Sequence, residues 1–423
     1  MSEVTKENGI VSTKIISAPK WELLYFAKDN FWTKKFPTTA SSAFLANFFS
    51  NQDATVIKLL TKRGYQLLGK TVLDEFACGG TGLYAATGPI FNPYDSTRVV
   101  GGSSSGSALT VAKKLAPFAL GHDTGDSIRR PASYCGIIGF KPSYGLISRY
   151  GVIPMASSLD TIGILADKVS RVKEIFSVLA QKDPYDLLTV ARKPKTPRLP
   201  KKKKIAIVAG LEHHLPPDLI RLYLNVQKVL EKLGYNIVKI SLPKKLRENL
   251  QITYLILCST ELVSHLNCLQ GITYGTEEGI GIINKRSEYL GEIVKERLLI
   301  GAYSLEKEGL LVKAQKMRHQ VIQWLKKVFR NYRLLIFPST NNIAPSADNF
   351  NSYFSGLLST HWSDNLLLLA NLAGLPSLSL PIGFVNGLPV SINLNSAYKQ
   401  DKLVLRLAEQ LENELAKSNQ RAK

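Results

Sequence analysis

Serine and glycine residues in two short loops are the residues of this chain best suited to chemistry. The first loop, Gly101–Ser107, reads GGSSSGS, and the second, Gly121–Ile128, reads GHDTGDSI. Glycine lets a backbone approach a ligand closely, and hydroxyls at the start of a helix face the positive end of its dipole. Such loops suit either a bound anion or a reacting serine. We expect the two loops to face each other across one pocket.

The first loop matches the G-x-S-x-G pattern of a nucleophile elbow, which would make Ser104 the nucleophile of a hydrolase. That chemistry needs an acid and a histidine, and none of the six histidines falls in a convincing catalytic loop. We expect all six on the surface or on helices: His122, His213, His214, His265, His319 and His361. A phosphate loop is disfavoured because no Gly-Lys-Ser/Thr follows the glycines. The sequence also shows no cluster of metal ligands.

Serine chemistry without histidine remains, and in it a buried neutral lysine can act as the base. Lys28 lies near the end of the short apolar segment Trp21–Asp29. A lysine at the end of a buried strand has to be paired or neutral. The alternative is an ordinary lysine whose amine reaches solvent. This segment alone leaves both interpretations open.

Composition indicates a globular protein with an unusual charge. The 423 residues are 45% hydrophobic and 21% charged, which excludes a disordered chain. The formal net charge of +21, from 54 Lys and Arg against 33 Asp and Glu, favours an acidic partner such as nucleic acid. A positive charge spread over solvated faces explains it equally well.

Several features predict a cytoplasmic protein that does not enter a membrane. The four cysteines form no CxxC pair, so reduced thiols are expected and neither a zinc site nor a disulfide framework is indicated. The first residues lack the apolar stretch of a secretory signal. The most apolar run, Leu366–Val385, is interrupted by Asn, Gly and Pro, so it predicts a core helix and a buried strand.

Helical and strand patterns alternate along the chain. Helix, glycine, strand patterns over Ala54–Lys70 and Leu219–Ile240 predict αβ units, and Asn386-Gly387 predicts a hairpin. A strand is predicted over Gly151–Met155, and Arg129-Arg130-Pro131 is predicted to end the second loop. The segment Arg192–Lys204, rich in lysine and proline, predicts a solvated connection. It lacks the aromatic residues that would favour binding of nucleic acid bases.

Longer motifs resemble the amidase signature family. They read GGSSSGSA, GHDTGDSIRRPASYCGIIGFKPSYGLISRYG and ASSLDTIG, with AKDN and PTTASS before them and NLAGLPSLSLPIGFVNGLP after them. The resemblance covers nearly the whole chain. It implies one α/β domain over 1–423, with a mixed central sheet covered by helices on both faces. The signature core would span about 64–165, with the basic segment 192–204 inside the domain.

The resemblance also implies a Ser-cisSer-Lys triad. The serine after the DTG turn is Ser127, the nucleophile, and the first serine after the glycine pair is Ser103, held by a cis peptide bond. Lys28, in AKDN, is the base. Backbone N–H groups of Thr124, Gly125 and Asp126, through Ser127, would form the oxyanion hole.

Within the family, the segments TYLILCSTELVSHLNCLQGITYG, KERLLIGAYSL and SDN resemble the glutaminase subunits of tRNA-dependent amidotransferases. The resemblance implies that Tyr254, Arg297 and Asp364 hold glutamine, with Arg297 on the α-carboxylate and Asp364 on the α-ammonium. It implies B and C partner subunits and, through that complex, an aminoacyl-tRNA carrying Glu or Asp. ATP and Mg²⁺ would be used by a partner, and this chain would hold neither a cofactor nor a metal.

Three departures from the family pattern stand out. Asp126 occupies the place of a second glycine before the nucleophile, and we expect its carboxylate to pair with Arg129 or Arg130. Asn267 and Cys268 replace an Arg and a Tyr of the family pattern. Only 27 residues precede Lys28, fewer than the helical extension of typical members would need. We therefore expect a glutaminase. The alternatives are a stand-alone amidase, and a catalytically weak scaffold that contacts tRNA.

Overall fold

The computed structural model describes residues 9–13, 20–189, 200–269, 287–350 and 361–421. Its strands are β1 (Ile10–Thr13), β2 (Leu24–Lys28), β3 (Gln66–Thr71), β4 (Phe118–Asp123), β5 (Ile138–Lys141), β6 (Thr161–Ala166), β7 (Lys204–Val208), β8 (Asn236–Ile240), β9 (Leu334–Pro338), β10 (Ser377–Val385) and β11 (Leu388–Ser396). These eleven strands form one mixed sheet in the order β1-β3-β2-β4-β6-β5-β10-β11-β9-β7-β8.

Ten α-helices lie in the described part of the chain. They are α1 (Thr55–Lys62), α2 (Ser105–Ala112), α3 (Arg129–Tyr134), α4 (Val169–Leu179), α5 (Pro217–Lys232), α6 (Lys244–Asn267), α7 (Glu292–Glu306), α8 (Leu310–Asn331), α9 (Leu368–Leu372) and α10 (Asp401–Arg421). The predicted α/β class with a mixed sheet is confirmed.

The sheet is buried on both faces at its centre. Along β4, Phe118 and Leu120 join the larger hydrophobic cluster, and Ala119 between them joins the smaller one. Successive side chains of a strand point to opposite faces, so this alternation places core on each side. Helix α4 packs into the larger cluster through Val172, and α2 packs into the smaller one through Leu109.

The strands that position the site are parallel neighbours. β2 pairs in parallel with both β3 and β4. The carboxyl ends of parallel strands meet at one edge of a sheet, so Lys28 at the end of β2 and Asp123 at the end of β4 lie at the same edge. Both serine loops lie at this edge, because the second loop includes the end of β4 and Ser103 of the first loop contacts Lys28.

One local prediction was wrong and one helix was not predicted. Gly151–Met155 forms no strand and contributes only an isolated bridge between Val152 and Phe31. Arg129-Arg130-Pro131 ends the second loop, but it does so by beginning helix α3, which the sequence analysis did not predict. A proline in the first turn of a helix loses no hydrogen bond, since that N–H has no intrahelical acceptor. Of the basic segment 192–204, residues 192–199 lie outside the described residues.

Candidate functional site

Lys28 is fully buried at the end of β2, with 0% of its surface exposed. Its Nζ donates to Ser103 Oγ at 2.8 Å and to the carbonyl oxygen of His122 at 3.2 Å. The peptide bond between Gly102 and Ser103 is cis. The interpretation of Lys28 as an ordinary solvent-reaching lysine is therefore wrong. The structure brings the predicted base into contact with the predicted proton carrier.

Burial lowers the pKa of Lys28 from 10.5 to about 7. The main cause is loss of solvation, which penalises the ammonium form. Negative charge on Asp74, Asp123 and Asp160 opposes that shift. Near neutral pH a substantial share of Lys28 is therefore uncharged, and an uncharged amine can accept a proton from Ser103.

Asp74 supports the first serine loop and was not predicted as a site residue. Its carboxylate accepts hydrogen bonds from the N–H groups of Thr81 at 3.1 Å, Gly82 at 2.9 Å and Tyr84 at 3.2 Å. A Cβ on Gly102 would overlap the same carboxylate, so only glycine allows this close approach beside the cis bond. The sequence signal was an acidic residue opening a long glycine-rich segment.

The two serine loops are joined directly. The N–H of Ser104 donates to the carbonyl oxygen of Ser127 at 3.1 Å. The hydroxyl of Ser104 is fully buried and donates to the carbonyl of His122 at 3.2 Å. Ser127, at 4% exposure, lies near the end of the second loop. The geometry therefore does not favour Ser104 as a nucleophile, and Ser127 remains the predicted nucleophile.

The carboxylate of Asp123 holds the turn that precedes Ser127. Asp123 accepts from the N–H of Ile128 at 2.9 Å, from Arg129 Nε at 3.1 Å and from Asn371 Nδ2 at 2.8 Å. Arg129 in turn donates to the carbonyl oxygen of Leu367 at 2.8 Å. Contacts from the last third of the chain thus fix the shape of this turn.

Backbone donors in the turn are available to a ligand. Within the described ranges, the N–H groups of Gly125, Asp126 and Ser127 donate to no protein acceptor. The hydroxyl of Thr124 donates to Asp160 Oδ1 at 2.7 Å, which anchors the start of the turn. Unpaired N–H groups beside a serine can stabilise an oxyanion where they point to the same spot.

Asp126 does not face the pocket with a free charge. Its Oδ2 accepts from Arg130 Nε at 2.6 Å, whereas Arg129 pairs with Asp123. Burial raises the pKa of Asp126, and Arg130 opposes that shift. Of the two expected partners, Arg130 is the one found.

His122 is not on the surface or on a helix, so that expectation was wrong. It lies buried on β4, where its Nε2 contacts Asp160 at 3.1 Å and its Nδ1 contacts Asn30 Nδ2 at 3.2 Å. Burial favours a raised pKa for Asp160, but His122, Thr124 and a backbone N–H outweigh it and lower the pKa to about 2. Asp160 is therefore ionised, and it links β4 to the turn through Thr124.

The three residues predicted to hold glutamine come from three different elements. Tyr254, on α6, packs its ring against the oxyanion turn: a Cβ on Gly125 would lie 2.8 Å from Tyr254 Cζ. Asp364 is buried in the short 3₁₀ turn Trp362–Asp364 and accepts from Arg130 Nη1 at 3.0 Å. Arg297, on α7, has 5% of its surface exposed.

Arg297 is a buried cation, and two of its nitrogens have no partner in the part of the chain that the structure describes. Among those residues, neither Nε nor Nη1 finds a hydrogen-bond acceptor. Its positive charge lowers the pKa of the thiols of Cys78 and Cys258 and of the Tyr254 hydroxyl against the larger upward effect of burial. Leaving a buried guanidinium unpaired is costly, so this position suits an anionic ligand group.

A family model described as Amidase matches residues 23–405. The chain belongs to this family. The resemblance identified from the sequence motifs is confirmed.

Two relatives of this amidase match it over almost its whole length. The A subunit of the mitochondrial glutamyl-tRNA(Gln) amidotransferase of Candida albicans (strain WO-1) is 34% identical over 439 residues, with 96% of each chain covered. The A subunit of the glutamyl-tRNA(Gln) amidotransferase of Sulfurihydrogenibium sp. is 37% identical, with 96% of this chain and 86% of that protein covered.

A solved structure shares the fold. The crystal structure of the A subunit of glutamyl-tRNA(Gln) amidotransferase from Thermotoga maritima matches with a TM-score of 0.80 and 32% identity, covering 96% of this chain and 87% of that chain. In the described part of this amidase, no helix combines the length and apolar character needed to cross a bilayer.

The amidase site contains buried ionisable residues that sequence reasoning missed. Asp74, Asp123, Asp160 and His122 all lie outside the predicted set, yet each holds a loop or strand that carries a predicted residue. In the sequence, each is an acidic or imidazole side chain within five positions of a glycine. A single sequence does not show what such a side chain contacts.

Proposed function

We propose that this amidase is the glutamine-hydrolysing subunit of a tRNA-dependent amidotransferase. Ser127 Oγ attacks the side-chain amide carbon of glutamine, and its proton passes through Ser103 to neutral Lys28. N–H groups of the 124–127 turn stabilise the tetrahedral oxyanion. When the carbon–nitrogen bond breaks, the proton goes from Lys28 through Ser103 to the leaving ammonia.

The second half of the reaction regenerates the serine. The first half leaves a glutamyl ester on Ser127. Water attacks that ester, gives up its proton along the same Ser103–Lys28 path, and releases glutamate as Ser127 recovers its proton. The 2.8 Å contact between Lys28 Nζ and Ser103 Oγ, together with the lowered pKa of Lys28, supports this path.

The observation that carries the choice of glutamine is the buried Arg297, two of whose nitrogens have no acceptor within the described ranges. A simple amide has no anionic group for it, whereas the α-carboxylate of glutamine fits a guanidinium in two-point fashion. Asp364 would hold the α-ammonium, and Tyr254 would close the site over the oxyanion turn.

The proposed partners follow from the names of the relatives, which are the A subunits of glutamyl-tRNA(Gln) amidotransferases. Ammonia would pass to a B subunit, held together with a C subunit, where ATP and Mg²⁺ activate the Glu or Asp of an aminoacyl-tRNA. The chain itself would bind neither ATP nor a metal. We propose the cytoplasm as its compartment, although the Candida relative is mitochondrial.

Purified complex with its B and C subunits provides the test. We expect glutamine-dependent amidation of aminoacyl-tRNA, and we expect Ser127→Ala to lower glutamine hydrolysis on the order of 10⁴-fold or more. Ser104→Ala is the matched control: it removes a buried serine hydroxyl in the neighbouring loop and should retain turnover within about tenfold, with some loss of stability.

Three outcomes would redirect the assignment. Activity that disappears in Ser104→Ala and survives in Ser127→Ala would favour the nucleophile-elbow mechanism. Turnover of short aliphatic amides without turnover of glutamine would favour a stand-alone amidase. Salt-sensitive tRNA binding with no hydrolysis in the full complex would favour a scaffold role.

A further inference from the structure

Arg130 connects two carboxylates that belong to different parts of the site. Its Nε donates to Asp126 at 2.6 Å, its Nη1 donates to Asp364 Oδ2 at 3.0 Å, and its Nη2 donates to the Asp364 carbonyl oxygen at 2.9 Å. Arg130 is itself buried, so both ion pairs are shielded from solvent. All three guanidinium nitrogens of Arg130 have a protein acceptor, whereas Nε and Nη1 of Arg297 have none among the described residues.

Asp126 is the residue for which this connection matters most. It lies directly before Ser127, and its own N–H belongs to the turn that would stabilise the oxyanion. A carboxylate released in that turn would repel the negative charge that develops on the substrate oxygen, and it could also accept the turn's N–H groups itself. The bond to Arg130 neutralises this carboxylate and holds it at the base of α3.

We propose that Arg130 is a positioning residue that makes an aspartate compatible with the oxyanion turn, so that Asp126 and Arg130 function only as a pair. Arg130 also donates to the carboxylate of Asp364 and thereby fixes the orientation of that side chain. The role at Asp126 concerns any amide substrate. Only the role at Asp364 rests on the proposed function.

The pair predicts strong non-additivity between two substitutions. Arg130→Gln leaves the Asp126 charge in the turn and should lower kcat for amide hydrolysis roughly 100-fold or more, the size of effect seen when an oxyanion donor is lost. Asp126→Gly removes that charge and should cost less, about tenfold or below. The double variant Asp126→Gly/Arg130→Gln should recover most of what Arg130→Gln loses.

A pH profile separates this role from a merely structural one. In Arg130→Gln the harmful group is a carboxylate, so its protonation relieves the defect, and activity relative to the parent should rise as pH falls. The other ionisable groups that face Asp126 or its partner must be considered in that profile: Asp123 on β4, Arg129 and Tyr134 on α3, Tyr254 on α6, and Asp364. Asp126→Asn/Arg130→Gln should lose this pH dependence.

The experiment uses the complex with its B and C subunits and measures kcat and KM on glutamine and on a short aliphatic primary amide. Recovery in the double variant on either substrate supports the pair. Losses that simply multiply, or an Arg130→Gln defect confined to KM, would overturn it. If Arg130→Gln does not fold, Arg130→Lys takes its place in the experiment. We then expect a smaller loss of kcat, which adding Asp126→Gly should again reverse.

The two substrates keep this inference separate from the proposed function. If the parent protein hydrolyses the short amide but not glutamine, and the double variant recovers activity on that amide, the Asp126–Arg130 pair is supported and the glutaminase assignment is overturned. If the parent hydrolyses glutamine but the losses of the two single variants multiply in the double variant, the glutaminase assignment stands and the pair is overturned.

Discussion

The Lys28 end and the Arg297 end of the site differ in how their charged groups are paired. At the Lys28 end, the carboxylates of Asp74, Asp123 and Asp160 each accept two or more protein hydrogen bonds, and Lys28 itself contacts a serine hydroxyl and a carbonyl. At the Arg297 end, a buried guanidinium keeps two nitrogens without a partner in the described chain. The charged groups of the first end are paired within the chain, whereas the second end keeps two donors that suit an anionic ligand group.

This difference indicates how the molecule divides its tasks. Groups that move protons work only in a fixed geometry, so the chain satisfies them internally. Groups that recognise a substrate gain affinity when their partner arrives from outside, and the unbound state carries the cost of leaving them unpaired. The following predictions each alter one end and leave the other intact.

Lys28→Met should give the largest effect among the substitutions that probe this division. Methionine fills a similar apolar volume but accepts no proton, so kcat should fall roughly 100- to 10,000-fold while KM for glutamine changes little. Steady-state kinetics of the complex measure both. Glutamine turnover at the parental rate would remove Lys28 from the mechanism.

Arg297→Met should act on the other end. We expect kcat/KM for glutamine to fall on the order of 100-fold, mainly through KM, because the α-carboxylate loses its charged partner. Hydrolysis of a short aliphatic amide should be almost unchanged. The free energy of unfolding should rise by about 1 to 3 kcal/mol, because an unpaired buried polar group has been removed. A less stable variant, or equal losses on both substrates, would contradict the division.

The pH dependence reports on the Lys28 end alone. Because burial lowers the pKa of Lys28 to about 7, the neutral amine disappears below that pH, and kcat/KM should fall about tenfold per unit on the acid side. The value of kcat/KM should therefore fall on acidification and reach a plateau at higher pH. Ser104→Ala should show the same fall on the acid side. A plateau extending well below about pH 6 would contradict a lysine base.

Glu75→Gln should give the smallest effect, and it tests what supports Arg297. The carboxylate of Glu75 accepts from the hydroxyl of Ser42 and from the N–H of Gly291 at 2.8 Å, where α7 begins. Weakening this cap should raise KM for glutamine by about threefold to tenfold, since cap losses are typically near 1 kcal/mol. Glu292→Gln is the matched control, because Glu292 lies in the first turn of α7 but bonds only exposed Lys295.

Kinetics at a range of glutamine concentrations distinguish the two variants. A larger KM effect in Glu292→Gln than in Glu75→Gln would show that charge near the helix start, and not the buried hydrogen bonds, matters for Arg297.

Sequence patterns predicted more of the Lys28 end than of the Arg297 end. Glycine and serine spacing identified both loops, and the Asn386-Gly387 turn was found as predicted, with φ of 51° and 77°. Yet the neutral state of Lys28 depends on burial produced by strands and loops distant in sequence. Arg297 shows the same limit, because the α7 sequence alone resembles a surface helix.

The missed elements have identifiable physical causes. α3 was missed because Arg129-Arg130-Pro131 was interpreted only as the end of the second loop, although a proline is also compatible with the first turn of a helix. β1 has only four residues and pairs with β3 through an irregular register, so it leaves little periodic signal. The role of Arg130 depends on Asp364, 234 positions further along the chain, and local sequence patterns carry no information over that distance.

The clamp on the oxyanion turn by Asn371 and Leu367 also has a consequence for synthesis. A chain emerging from the ribosome holds both serine loops and Lys28 long before these residues exist, because the contacts span 238 to 248 positions. Until then the turn has only its contacts with nearby parts of the chain, such as those of Thr124 with Asp160 and of Ile128 with Asp123, and β10 and β11 follow later still. We expect a nascent or truncated chain to be hydrolytically silent, so that ammonia is released only by a finished protein.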